Sequence, residues 1–254
     1  IQNSTNIKAP ELVAIYPTKD TVPENLLKMY LVFSKPMQEV KSALDYIEVT
    51  DESTNKKVNI FLPLENELWN KNHTQLTLWL DPGRIKTGLI PNKKLGLPIL
   101  NSHQYTINVS KDWKSADGVP LKKSFKKTMY AILHDNEIPM YNNWKISTPK
   151  SNTPEPLIIN FNETLDFVLA MESFQILNLD KEVVEGKFKL VNHETVLEFY
   201  PKFKWNKGEF RIMTDTRLED LAGNNLNHLF DKDLDKDHSI NDSSKTKSIH
   251  FSIH

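Results

Sequence analysis

The chain carries one pattern written twice, and this duplication limits its fold more than any single motif does. The first copy holds Leu31-Val32-Phe33-Ser34-Lys35-Pro36-Met37, and the second answers with Ile158-Ile159-Asn160-Phe161-Asn162-Glu163-Thr164. An apolar run opening on threonine follows in each: Thr74-Gln75-Leu76-Thr77-Leu78-Trp79 and Thr195-Val196-Leu197-Glu198-Phe199-Tyr200. Then comes a late strand, Tyr105-Thr106-Ile107-Asn108-Val109 in one copy and Phe210-Arg211-Ile212-Met213-Thr214 in the other. Twelve residues after each late strand begins stands a turn, Asp117-Gly118-Val119-Pro120-Leu121 and Ala222-Gly223-Asn224-Asn225-Leu226. A chain of 254 residues has room for two cores of ordinary domain size.

The hydrophobic period is two. Leu27, Met29, Leu31 and Phe33 share one strand face, as do Leu76, Leu78 and Leu80, which alternate with Thr77 and Trp79. Tyr105, Ile107 and Val109 repeat the pattern, and so do Phe251 and Ile253. Strands with one buried and one wet face predict an all-β chain of two tandem antiparallel β-sandwiches. Two stretches read as short helical turns, 36–45 and 163–172, each just after the first core strand of its copy. The polar segment 135–143, with Pro139 inside it, marks the boundary and predicts domains at 1–135 and 136–254. Residues 144–254 carry their own core strands and closing strand, so they are expected to fold alone.

Charge and composition narrow the function classes. The net charge is −1, with a formal +4 on residues 1–135 and −5 on 136–254. No basic excess marks the whole chain for nucleic acid. The absence of cysteine excludes disulfides, thiol nucleophiles and cysteine-ligated zinc. No apolar run approaches the roughly 18 residues of a spanning helix. The opening Ile1-Gln2-Asn3-Ser4-Thr5-Asn6 is what a tether after a cleaved signal or a lipid anchor looks like, which makes export the expectation.

Two strings carry a family resemblance. Pro17-Thr18-Lys19-Asp20-Thr21-Val22-Pro23, followed by Phe33-Ser34-Lys35-Pro36-Met37, resembles the opening of bacterial Ig-like domains of the surface-layer (SbsA-type) class. Asp220-Leu221-Ala222-Gly223-Asn224-Asn225-Leu226 resembles their closing D-x-x-G-N-x-L turn. Copy one closes on a degenerate version without the Asn, and copy two lacks the Pro-Met of the opening. The resemblance implies two tandem Ig-like domains from an exported envelope or surface protein. It says little of function, because fold does not fix function.

The candidate sites begin with a difference between the copies. Leu76 to Tyr105 is 29 residues, whereas Val196 to Phe210 is 14. Copy one therefore carries an inserted loop at about 81–103, and loops beyond a scaffold's need are usually functional or disordered. The insertion is basic: Arg84, Lys86, Lys93 and Lys94 stand against Asp81. Arg84 is one of three arginines in a lysine-rich chain, so a planar fork is wanted there. One reading is a pocket for a glycan or anionic polymer, built from Arg84, Lys86, Trp79, Glu67 and Asp81. The other is a loop stapled down by Arg84 pairing with Glu67 or Asp81.

The tryptophans at 69, 79, 113, 144 and 205 are read mainly as packing, with a sugar platform as the alternative. Asp231, Asp233, Asp235, Asp237, Ser239 and Asp242 fall at positions 1, 3, 5, 7, 9 and 12 of a twelve-residue calcium loop. Lys236 stands where that loop needs glycine, so a solvated acidic loop is the competing reading of a Ca²⁺ site. No phosphate loop, nucleophile elbow or zinc helix is present.

The sequence thus leads to a non-enzymatic exported protein with a structural or adhesive role at the cell envelope. Its location is periplasmic, outer-membrane-anchored or at the cell surface, and its partners an envelope protein or polysaccharide. The alternative is a ligand-binding module that uses the basic insertion.

Overall fold

The alternating runs become strands in a computed structural model that describes residues 8–231 and 244–254. The chain divides into two compact units, Ile1–His134 and Asp135–His254.

The first unit contains β1 (Leu12–Tyr16), β2 (Thr21–Pro23), β3 (Lys28–Phe33), β4 (Ile47–Asp51) and β5 (Lys56–Lys57). It continues with β6 (Leu68–Trp69), β7 (Gln75–Trp79), β8 (Gln104–Val109) and β9 (Phe125–Ile132). One sheet has the order β1-β3-β7-β6 and the other β2-β9-β8-β4-β5. All pairs are antiparallel except β2 with β9. The chain leaves the first sheet after β1 and lays β2 along β9, covering an edge whose N–H and C=O groups would otherwise be open. Leu27, Met29, Leu31, Phe33, Leu76, Leu78, Leu80, Tyr105, Ile107 and Val109 are all buried.

The second unit contains β10 (Lys145–Ser147), β11 (Leu157–Asn160), β12 (Phe174–Asn178) and β13 (Gly186–Val191). Then follow β14 (Val196–Pro201), β15 (Gly208–Asp215) and β16 (Thr246–Ile253). Its sheets are β10-β11-β14-β13 and β12-β15-β16. The first repeats the order β1-β3-β7-β6 strand for strand, and the second repeats β4-β8-β9. Isolated bridges extend the match: Met37 pairs with Ser115 as Leu165 pairs with Asp220, and Lys114 with Pro120 as Glu219 with Asn225. Both units are all-β Ig-like sandwiches.

Aromatic packing fills both interiors. Trp113 is fully buried, stacked on Tyr46 with centroids 5.3 Å apart and edge-on to Phe33 at 5.3 Å. Trp144 meets Phe161 at 4.9 Å, and Trp205 meets Phe210 at 5.4 Å. Such pairs stabilise by about 0.5–1.5 kcal/mol beyond their area, and these three tryptophans form no sugar platform.

The helical reading needs correction at one site and addition at another. Within 36–45 the chain forms a 3₁₀ turn at its end, Ala43–Tyr46, whereas 163–172 yields α3 (Phe167–Glu172). Asp166 explains the difference: its side chain accepts from the Leu169 N–H at 3.0 Å and caps the helix. The insertion holds two further helices, α1 (Pro82–Ile85) and α2 (Ile90–Leu95). Both are too short to show a period of 3.6 residues, though each has proline in its first turn.

Candidate functional site

Asp81 starts the insertion by capping α1, accepting from the Gly83 N–H at 2.9 Å. This places Arg84 one turn on, with its fork turned toward the returning chain. Nε donates to the Gly96 carbonyl at 2.9 Å, Nη2 to the Leu97 carbonyl at 2.6 Å and Nη1 to the Asn59 carbonyl at 3.0 Å. The Arg84 carbonyl in turn accepts from Asn92 Nδ2 at 2.6 Å. Gly96, at φ 69°, allows the chain to turn back after α2. Burial pulls the guanidinium below its ordinary pKa, with the Asp81 charge opposing.

The five residues singled out from sequence therefore separate. Arg84 fastens two backbone segments, at 59 and at 96–97, through three carbonyls, and hydrogen-bonds to neither Asp81 nor Glu67. Glu67 accepts from the Ala43 N–H and, at 2.8 Å, from Trp69 Nε1. Trp79 lies opposite Lys28 in the β3–β7 ladder, with the Lys28 ammonium 5.3 Å from its ring centroid. Glu67 and Trp79 help line a cavity of about 30 Å³, room for water and not for a sugar. Lys86 is half-buried beside α1.

Sequence reasoning missed the outer face of the insertion. Leu89, Ile90 and Leu95 are exposed, next to exposed Lys93 and Lys94. It also missed an apolar groove of about 540 Å³ in the second unit, between the edge strands β12 and β13. Gly186 is needed there, since a Cβ would lie 2.4 Å from the Phe199 ring and 2.5 Å from the Tyr200 carbonyl.

The closing turn of the second unit is the other organised polar region. The carboxylate of Asp220 accepts from Ala222 N–H at 2.8 Å, Asn224 N–H at 3.0 Å and Asn224 Nδ2 at 2.9 Å. The Asn224 amide also donates to the Glu137 carbonyl at 3.1 Å, and its Oδ1 accepts from Phe230 N–H at 3.0 Å. Gly223, at φ 83°, makes this turn. The D-x-x-G-N string thus holds the leading segment of its own unit, a role visible in sequence only as a turn.

Four carboxyls gather around that turn. Burial raises Asp220 to about 8, with the Asp135 charge adding to the shift and the bonds from Asn224 and Ala222 opposing it. Burial likewise raises Glu163 to about 7, with Asp135 and Glu137 adding and the Met140 N–H opposing.

Of the proposed calcium ligands, Asp231 is described, while Asp233, Asp235, Asp237 and Asp242 lie outside the described residues. Among the described residues, no group of three or more His, Asp or Glu is arranged to hold a metal ion. None of the described helices is long and apolar enough to cross a membrane.

No protein-family model matches the sequence, and no curated protein matches it significantly. Solved structures give distant likenesses. The S-layer protein rSbsC(31-844) aligns at 10% identity and TM-score 0.34, over 81% of this chain and 23% of its own. Native alpha-2-macroglobulin from Escherichia coli, domains MG0-NIE-MG1, aligns at 13% identity and TM-score 0.33, over 82% and 66%. The N-terminal Ig1-2 module of the Drosophila receptor protein tyrosine phosphatase DLAR aligns at 11% identity and TM-score 0.26, over 84% and 93%. The chain spans less than a quarter of the SbsC structure. These likenesses add nothing to the sandwiches already described.

Proposed function

We propose that the chain is a non-enzymatic, exported pair of Ig-like modules with a structural or adhesive role at the cell envelope. One observation carries this reading: the polar side chains best placed for chemistry are bonded to the main chain. Arg84 is held by three carbonyls, and Asp220 gathers two main-chain N–H groups and one amide. Groups used this way stiffen a module instead of meeting a substrate. The sequence resemblance supports export, with a lipid tether before residue 1 as one route to the envelope. An envelope protein or polysaccharide would be the partner.

The test is location. Source cells are fractionated and probed by antibody, and intact cells are shaved with protease. The protein is expected in the envelope or secreted fraction; a cytosolic pool protected from protease would overturn the reading. The second reading, an anionic polymer held by the insertion, is favoured by the exposed Lys93 and Lys94. A polyanion and glycan array separates it from a purely structural role.

A further inference from the structure

The insertion keeps aliphatic side chains in water, with Ile90 68% and Leu95 67% exposed. Ile90, Lys93 and Lys94 stand at i, i+3 and i+4 of α2, so one helical face mixes apolar and cationic groups. The other side is fastened, since Asn92 bonds the Arg84 carbonyl and Arg84 bonds residues 96 and 97. The apolar tip is thus presented by a braced loop and does not fold onto the sandwich. A connection needed only to join two strands would be short, as in the second unit.

Two features choose the partner. The first is charge: Asp81 is the one acid within 81–103, and its carboxylate is used to cap α1. Lys93 and Lys94 therefore favour an anionic surface. The second is apolarity. A soluble polyanion gains from the lysines and nothing from bare Leu89, Ile90 and Leu95. A lipid surface gains from both, because aliphatic side chains enter the headgroup–acyl boundary while lysines stay at the phosphates. The same pairing recurs at the equivalent connection of the second unit. There Phe203 is 70% exposed between Lys202 and Lys204, with the Lys202 ammonium 5.3 Å from its ring. Lys202 is also paired with Glu185 at 2.5 Å, so the cationic part of the pairing is weaker than in the insertion.

We propose that the β7–β8 insertion is a docking element for an anionic lipid surface. Its apolar tip (Leu89, Ile90 and Leu95) enters the interface, and Lys93 and Lys94 contact the headgroups. The inference is independent of the envelope role, because pure vesicles contain neither partner protein nor polysaccharide.

The test is flotation of the full chain with vesicles of phosphatidylglycerol and phosphatidylcholine, or of phosphatidylcholine alone, at low and high salt. Binding to the anionic vesicles at low salt is expected, with loss at high salt. Ile90→Asn with Leu95→Asn should weaken it by about tenfold. Lys93→Gln with Lys94→Gln should weaken it by at least about tenfold. Thermal unfolding should be unchanged in both, since the altered side chains are exposed. No flotation with anionic vesicles, or flotation indifferent to both double variants, overturns the proposal. So does retention on immobilised heparin that is equal for the wild type and the Asn variant when neither floats, which would assign the lysines to a soluble polymer.

Discussion

Ser115 and Asp220 occupy the same bridge in their sandwiches, opposite Met37 and Leu165. Ser115 Oγ donates to the Val119 carbonyl at 3.3 Å, within its own turn. Asp220 collects three donors, and Asn224, which stands where the first unit has Val119, carries the contact on to the Glu137 carbonyl. The first unit does its fastening elsewhere, through Arg84 in the insertion. Two sandwiches with one strand order are therefore braced at different points. In the first unit the polar brace lies in the extra loop; in the second it lies in the closing turn and reaches the leading segment.

The largest expected effect concerns that leading segment. Residues 135–143 supply a carbonyl to Asn224, the Asn143 carbonyl to Asn162 Nδ2 at 2.9 Å, and Tyr141 to the Trp144 ring at 6.4 Å. A fragment starting at 135 should unfold cooperatively. One starting at 144 should be less stable by about 3–5 kcal/mol in denaturant titration. Equal stability would mean that the segment only rests on the unit, and the contrast with the first unit would lose its basis.

Next comes a matched pair of truncations. Asp220→Ala leaves three buried donors without their acceptor and should destabilise the second unit by about 2–4 kcal/mol. Ser115→Ala removes one long bond and should change the first unit by less than about 1 kcal/mol. Similar losses in both would show that the two turns do the same work and that the asymmetry is superficial.

Strand alternation made the fold legible, because a period of two survives in the sequence of most core strands, although β3 and β8 bury both faces at Met29, Tyr30 and Leu31 and at Tyr105, Thr106 and Ile107. The doubled topology was legible for the same reason. The role of Arg84 was half legible: its rarity among lysines pointed to a fork, but carbonyl acceptors leave no mark in a sequence, so the acidic residues Glu67 and Asp81 were the visible partners. Asp220 and Asn224 read as turn formers, because turn chemistry and long-range fastening use the same residue types. The exposed Leu89, Ile90 and Leu95 were hidden within a loop judged by its charge. Burial depends on what lies above a side chain, and helices as short as α1 and α2 carry no period from which to infer it.

The acidic turn also sets a pH dependence confined to the second unit. Glu163 and Asp220 are raised above their ordinary values of 4.5 and 3.8, so the folded state binds protons that the unfolded state has already released. Stability from these groups is full below the unfolded values and is lost as pH rises through about 7 and 8. Between pH 5.5 and 8.5 the isolated second unit should lose about 1–3 kcal/mol, the coupling of the two carboxyls and partial exposure of Glu163 limiting the effect. Glu163→Gln should remove the smaller share of that slope, that below about pH 7, and leave the larger share set by Asp220. A flat profile in the wild-type unit, or a slope of equal size in the first unit, would remove the buried carboxyls as its cause.

The smallest effect expected is at the brace of the first unit. Arg84→Lys keeps the charge and replaces a planar fork, aimed at three carbonyls, with a single ammonium. One carbonyl can be reached at full strength; the others must turn to water at the edge of the loop. The first unit should lose about 1–2 kcal/mol, read from its own unfolding transition. Because Ile85 beneath α1 stays buried in either case, the sandwich itself should persist. The loss should also be local: the insertion should become more open to proteolysis near Gly88, with the second unit unaffected. An unchanged transition and unchanged cleavage would mean that Asn92 and the Asp81 cap suffice to hold the loop. The fork would then be free of a structural duty, and the contrast between a braced insertion and a fastened turn would reduce to Asp220 and Asn224 alone.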